Sequence, residues 1–91
     1  MKQFLVEVFV PRSRAGELTA ARRRVRAATA SVARGDRDVR YVRAIYVPED
    51  ETCFYVFKAV SAELVAEVTA LAGLRNGRVL EALGESKGAR T

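Results

Sequence analysis

Along residues 4–10 two sets of side chains alternate. Phe4, Val6, Val8 and Val10 fall on one side of an extended chain, and Leu5, Glu7 and Phe9 fall on the other. The β-branched and aromatic content predicts a strand that Pro11 ends, with the all-apolar first set as its core face. After Pro11 the period lengthens. Leu18, Ala21, Val25, Ala28 and Val32 recur at helical spacing, so a helix is expected from a Ser13 N-cap to about Arg34, with Gly35 as its stop. Arg22 and Arg26 fall on one flank of that stripe, Arg24 on the other, and Arg23 and Arg34 opposite it. A polar connector, Gly35-Asp36-Arg37-Asp38, leads to two further strands, Val39–Val47 and Thr52–Ala59. Pro48-Glu49-Asp50-Glu51 joins them. It lacks the Asn-Gly or Asp-Gly of a two-residue hairpin, so a longer loop is expected.

Ser61 then caps a second helix with Glu63 in its first turn and Leu64, Val65, Val68, Leu71 and Ala72 as its stripe. Gly73 is a suitable C′ residue, and Leu74 supplies the closing apolar contact. Asn76-Gly77 turns the chain into a short fourth strand, Arg78–Leu83. The expected organisation is a single domain over residues 1–83 and a flexible C-terminal tail over residues 84–91. The order β-α-β-β-α-β predicts an α+β, ferredoxin-like sandwich: an antiparallel four-stranded sheet with two helices on one face.

The second and third strands have no clean polar face. Cys53, Tyr55 and Phe57 alternate with Phe54, Val56 and Lys58, while Tyr41, Arg43, Ile45 and Val47 alternate with Val42, Ala44 and Tyr46. Two helices cover one side of such a sheet. Whichever set they cover, the other retains several large apolar groups, and an apolar face of that size marks an interface. The expected cover is a second copy, giving a homodimer and a dimeric α+β barrel.

Composition narrows the chemistry. The 91 residues are 49% hydrophobic and 30% charged, and the longest apolar runs fall well short of the roughly 20 residues of a membrane helix. The N-terminal apolar run is broken by Glu7 and does not resemble a signal peptide, and the lone Cys53 has no internal disulfide partner. A cytoplasmic location without a membrane is therefore expected. The net charge of +5 is concentrated early, with nine Arg against Glu17, Asp36 and Asp38 in residues 12–40. A basic helix raises nucleic acid as a partner, but Thr52–Lys58 lacks the basic-Gly-aromatic start of a sheet-binding RNA module. The plainer reading is a solvated helix face, with nucleic acid unexpected as a partner. Pro48-Glu49-Asp50-Glu51 likewise reads as a solvated turn, since it lacks calcium-loop spacing.

The absence of His closes Ser-His-Asp, Cys-His and His-containing zinc chemistry, and no Gly-rich phosphate loop is present. Acid–base work would fall to Glu, Asp, Tyr, Lys, Cys or Arg. Glu7 stands out as an acid in mid-strand. On the face assigned to the dimer it pairs with a base such as Arg43 or takes a raised pKa, and the plainer reading is a salt-bridged structural Glu. Cys53 reads first as a small hydrophobe. The candidate ligand-binding set is Glu7, Phe9, Tyr41, Arg43, Cys53, Tyr55 and Phe57, with Glu7, Arg43 and Tyr55 as catalytic candidates.

A family resemblance is carried by Arg40-Tyr41-Val42-Arg43, by 47–54 (VPEDETCF), by 57–63 (FKAVSAE), and by Ala72-Gly73-Leu74 through Arg78-Val79-Leu80-Glu81. These stretches resemble a family of small bacterial proteins of unknown function, one member of which has been described as a nickel-binding, dimeric, ferredoxin-like protein. The resemblance implies the same fold and a dimer. It departs at Lys58 and Val60, where relatives are expected to carry an acid and Pro. No metal ligand is carried over, because nickel sites draw on imidazole and a lone Cys53 with scattered acids is a poor set. The first functional expectation is a small-ligand-binding or metal-binding-like protein that dimerises through its sheet. The alternative is a cofactor-independent enzyme of cyclase, isomerase or monooxygenase type, acting on a hydrophobic small molecule. A structural or regulatory partner is the third.

Overall fold

The alternating segments pair into one antiparallel sheet. The computed structural model describes residues 1–84, so the tail expected over 84–91 lies outside the described residues apart from Gly84. The strands are β1 (Lys2–Phe9), β2 (Val39–Val47), β3 (Thr52–Ala59) and β4 (Arg78–Ala82), in the order β2-β3-β1-β4. Two helices, α1 (Leu18–Val32) and α2 (Ala62–Leu71), pack on one face. The result is the ferredoxin-like α+β sandwich that the element order predicts. Its shortest dimension, 18 Å, is that of one sheet with one helix layer.

The core lies between those layers. Phe4, Val6 and Val8 of β1 and Cys53, Tyr55, Phe57 and Ala59 of β3 meet Leu18, Val25 and Val32 of α1 and Leu64, Val65 and Val68 of α2. Each helix also buries a threonine whose hydroxyl is satisfied locally. Thr29 donates to the Val25 carbonyl at 2.7 Å and Thr69 to that of Val65 at 2.8 Å. Leu71, expected in the α2 stripe, is exposed instead, and Thr69 occupies the buried position.

The start of α1 differs from expectation. Residues Arg12–Glu17 form a 3₁₀ segment, and Ser13 makes no capping hydrogen bond. Gly16 weakens helix there. The Glu51 carboxylate, reaching across from the β2–β3 connection, accepts from the Arg12 N–H at 2.8 Å. The segment is thus tied to the rest of the fold rather than wound into the helix. Ser61 does cap α2, accepting from the Leu64 N–H at 3.4 Å. The α2 exit follows the expected Gly73 stop: Gly73 has φ 72°, its N–H reaches Ala70, and the Leu74 N–H reaches Thr69.

One irregularity reassigns side chains. A bulge between Tyr41 and Arg43 shifts the register of β2 against β3, so Tyr41 pairs with Phe57 but Arg43 pairs with Val56. A strict alternation would have put Tyr41 and Arg43 on one face. The bulge sends them to opposite faces.

Candidate functional site: a helix–sheet cleft and an open sheet face

The register divides the seven sequence-derived candidates. Phe57 lies opposite Phe4, Tyr55 opposite Val6, and Cys53 opposite Val8, so all three share the helix-covered face. Tyr41 joins them from β2. Glu7, opposite Phe54, and Phe9, opposite Thr52, occupy the other face, as does Arg43. A single pocket holding Glu7 and Arg43 with Tyr41, Cys53, Tyr55 and Phe57 therefore does not form within the chain, because the sheet separates the two groups. The base nearest Glu7 is also different from the one expected. Arg78 of β4 lies opposite it, with its Nε 3.6 Å from Oε1. The register of β4 depends on the turn at residues 75–77, which strand periodicity does not reveal.

On the covered face, Tyr41 stands 5.6 Å from the Phe57 ring and 6.5 Å from the Tyr55 ring, and the Arg26 guanidinium lies 5.6 Å from the Tyr41 ring centroid. The Arg22 Nε is buried without a hydrogen-bond partner among the described residues. Burial pushes the Cys53 thiol up, against the opposing influence of Tyr55 and the Arg22 charge. That makes Cys53 a packed hydrophobe rather than a nucleophile. Burial also raises Tyr41, and raises Tyr55 strongly, with Cys53 adding to the Tyr55 effect.

A cleft opens where β1 ends. About 470 Å³ lies between the last residues of β1, the 3₁₀ segment, the start of α1 and the turn after α2. Val8, Leu18, Ala21 and Leu74 give it apolar lining, to which Tyr55, only 1% exposed, also belongs. Phe9, whose strand position belongs to the open face, borders the cleft only at the end of β1, between Val8 and Val10. Arg14, Glu17, Arg24 and Arg75 supply the charged rim.

Each wall is fixed by identifiable bonds. The Val10 N–H donates to the Glu51 carbonyl at 2.7 Å, and the Tyr46 hydroxyl donates to the Val10 carbonyl at 2.7 Å, which sets the path out of β1. Arg24 Nε donates to the Ala72 carbonyl at 3.1 Å, joining α1 to an otherwise unpaired carbonyl at the end of α2. Arg14 donates through Nε and Nη2 to the two Glu17 oxygens at 3.1 and 2.9 Å. That hydrogen bond holds the Glu17 carboxyl below its usual range, partly against desolvation, and the Arg14 and Arg24 charges add to it. The rim arginines escaped the sequence reading. The available signal was the isolation of Arg24 on its own flank of the α1 stripe.

The open face has its own pattern. Leu5, Val56 and Leu80 form one row across β3, β1 and β4 that Arg43 of β2 extends, while Ile45 and Phe54 lead to Glu7 and Arg78 in the next. Ile45 is 46% exposed and Phe9 67%. Val56, although on this face, is buried by its own neighbours. Arg40, Arg43, Lys58 and Arg78 border this apolar strip, and Glu7 is the acid within it. Among the described residues no three His, Cys, Asp or Glu come together to hold a metal ion, and no helix is long and apolar enough to cross a membrane.

No family model matches the chain, and no curated protein matches it. Among solved structures, the chain is similar to the crystal structure of SCO4226 from Streptomyces coelicolor A3(2), with a TM-score of 0.72 and 20% identity. The likeness covers 92% of this chain and 99% of that one. At that identity it is a likeness of fold.

Proposed function

We propose that the chain is a small-ligand-binding protein that holds its ligand in the helix–sheet cleft and pairs with a second copy through its open sheet face. The observation that carries the ligand reading is the cleft. Its volume of about 470 Å³ falls in the range of roughly 300–1,000 Å³ typical of ligand sites, and its lining combines apolar side chains with a few charged ones beside the buried Tyr55. The pairing reading is supported by the uncovered apolar strip and its charges. A two-fold stack that brings Glu7 of each copy to the basic border of the other would be self-complementary. Nickel is left out of this proposal because Cys53 is buried and has no cluster of ligands around it among the described residues.

Two measurements test the two halves. Light scattering across a dilution series should give twice 10.0 kDa for the wild type and 10.0 kDa for Phe54→Asp. A wild-type monomer at every concentration removes the pairing half. Amide chemical-shift mapping with small apolar fragments should give shifts clustered at Leu18, Ala21 and Leu74. Shifts confined to Ile45, Phe54 and Val56 would move the ligand site to the open face.

A second reading has one observation in its favour. Tyr55 is among the residues that line the cleft, and burial keeps its phenol protonated, so it can donate a hydrogen bond to a bound molecule. On that reading the chain is a cofactor-independent enzyme acting on a hydrophobic small molecule. Tyr55→Phe then removes turnover while binding changes by no more than about threefold.

A further inference from the structure

The rim of the cleft is not electrically balanced. Three arginines, Arg14, Arg24 and Arg75, and one carboxylate, Glu17, line it. Glu17 is already engaged, because both of its oxygens accept from Arg14. Arg24 and Arg75 have no carboxylate partner among the described residues. The two are also held differently from ordinary surface arginines. The Nε of Arg24 is tied to the Ala72 carbonyl, which positions the guanidinium at the rim and leaves its two terminal nitrogens available. Arg75 belongs to the tight turn between Gly73 and Asn76. Both of those residues have left-handed φ, and the Arg75 N–H reaches the Gly73 carbonyl at 3.0 Å. Val8, Val10, Leu18, Ala21 and Leu74 give the same cleft an apolar portion beside these cations.

A planar anion with two oxygens matches the fork of terminal N–H groups that Arg24 presents. A purely apolar ligand would leave that fork unused, and a highly charged one would leave the walls unused. Resting on the reading of the cleft as the ligand site, we infer that its ligand is an apolar carboxylic acid, with the carboxylate at Arg24 and Arg75 and the hydrocarbon body along Leu18, Ala21 and Leu74 toward Tyr55. Arg14 acts as part of the wall, since Glu17 already occupies it.

The test uses two acid–amide pairs of matched shape: naphthalene-2-carboxylate with naphthalene-2-carboxamide, and octanoate with octanamide. Each is titrated into the full chain while backbone amides are followed by NMR. The expected result is that at least one acid shifts the Leu18, Ala21 and Arg75 amides and binds about tenfold more tightly than its amide, the scale of one charge-assisted hydrogen bond. Arg75→Gln, which alters an exposed residue, should weaken the acid about fivefold and leave the amide unchanged. Arg24→Gln should do the same by a larger factor, and the Arg75 variant serves alone if loss of the Ala72 contact disturbs α2. If an acid and its amide bind equally at the cleft amides, the carboxylate inference is overturned while the cleft remains a ligand site. If none of the four compounds moves a cleft amide, the cleft reading is overturned and this inference with it.

Discussion

Strand β3 offers a controlled comparison within one molecule. Cys53, Tyr55 and Phe57 face the helices, while Phe54, Val56 and Lys58 face outward from neighbouring positions on the same eight-residue strand. Phe54 and Val56 of the outer set are as apolar as the inner residues, and the backbone is common to both. The first set is buried by α1 and α2, and the second is covered only by its strand neighbours. Apolar character along a strand therefore does not tell which face is the core. The layer that packs on it does. A residue of the inner set contributes to folding of the single chain, and a residue of the outer set contributes chiefly when a second surface arrives.

The largest expected effect separates those contributions. Phe57 is 0% exposed, and Phe57→Ala should cost about 3–5 kcal/mol of stability at every protein concentration. Phe54→Ala should cost about 1 kcal/mol in dilute solution and more as concentration rises, because its partner surface is then present. Chemical denaturation of both variants at two concentrations reads the difference. Equal, concentration-independent losses would mean that the outer face has no partner.

A smaller effect sharpens the same contrast through pH. The titratable groups raised by burial, Cys53, Tyr41 and Tyr55, all belong to the inner face. Each is neutral when protonated. Above its usual value, 9.0 for the thiol and 10.0 for the phenols, the unfolded chain releases a proton that the folded chain retains. The unfolded state then binds fewer protons, so stability falls as pH rises. Tm should decline from near pH 9 upward, and Cys53→Ala should make the first part of that decline shallower. A flat profile to pH 10.5 would contradict the assignment of these groups to the core.

The smallest effect belongs to the outer face. The Arg78–Glu7 pair is 3.6 Å apart, with Arg78 70% exposed and Glu7 37% exposed at their side chains. Arg78→Gln should change single-chain stability by no more than about 0.5 kcal/mol. A loss above 2 kcal/mol in dilute solution would show that Glu7 is far more isolated from solvent than the open face allows.

Much of the architecture was legible because it depends on local periodicity. The change from period two to 3.6 marks the elements, Ser61 and Gly73 delimit α2, and the connection lengths leave few ways to order the strands. The candidate site was legible only in fragments. Phe9 and Tyr55 do line the cleft, yet Tyr55 was grouped with Glu7 and Arg43, from which the sheet divides it. The β1–β3 register, which sets Val6 and not Glu7 opposite Tyr55, parts Glu7 from it, and a bulge parts Arg43. The bulge after Tyr41 breaks the alternation that would have kept it with Arg43, and no residue type obliges a bulge at that point. The 3₁₀ segment forms a cleft wall because Glu51, 39 positions away, accepts from Arg12.

What the sequence by itself determined was the set of strands and helices, the inner face of β1 and the presence of more apolar strand surface than two helices can cover. Those follow from side-chain periodicity and the area of apolar groups, which are properties of neighbouring residues. What only the tertiary structure decided was which face of β2 and β3 the helices take, which base approaches Glu7, and the convergence of Arg24, Arg75 and Tyr55 on one cleft. Those depend on register and on contacts between residues far apart in the chain, such as Arg24 with Ala72, whose geometry exists only once the layers have packed.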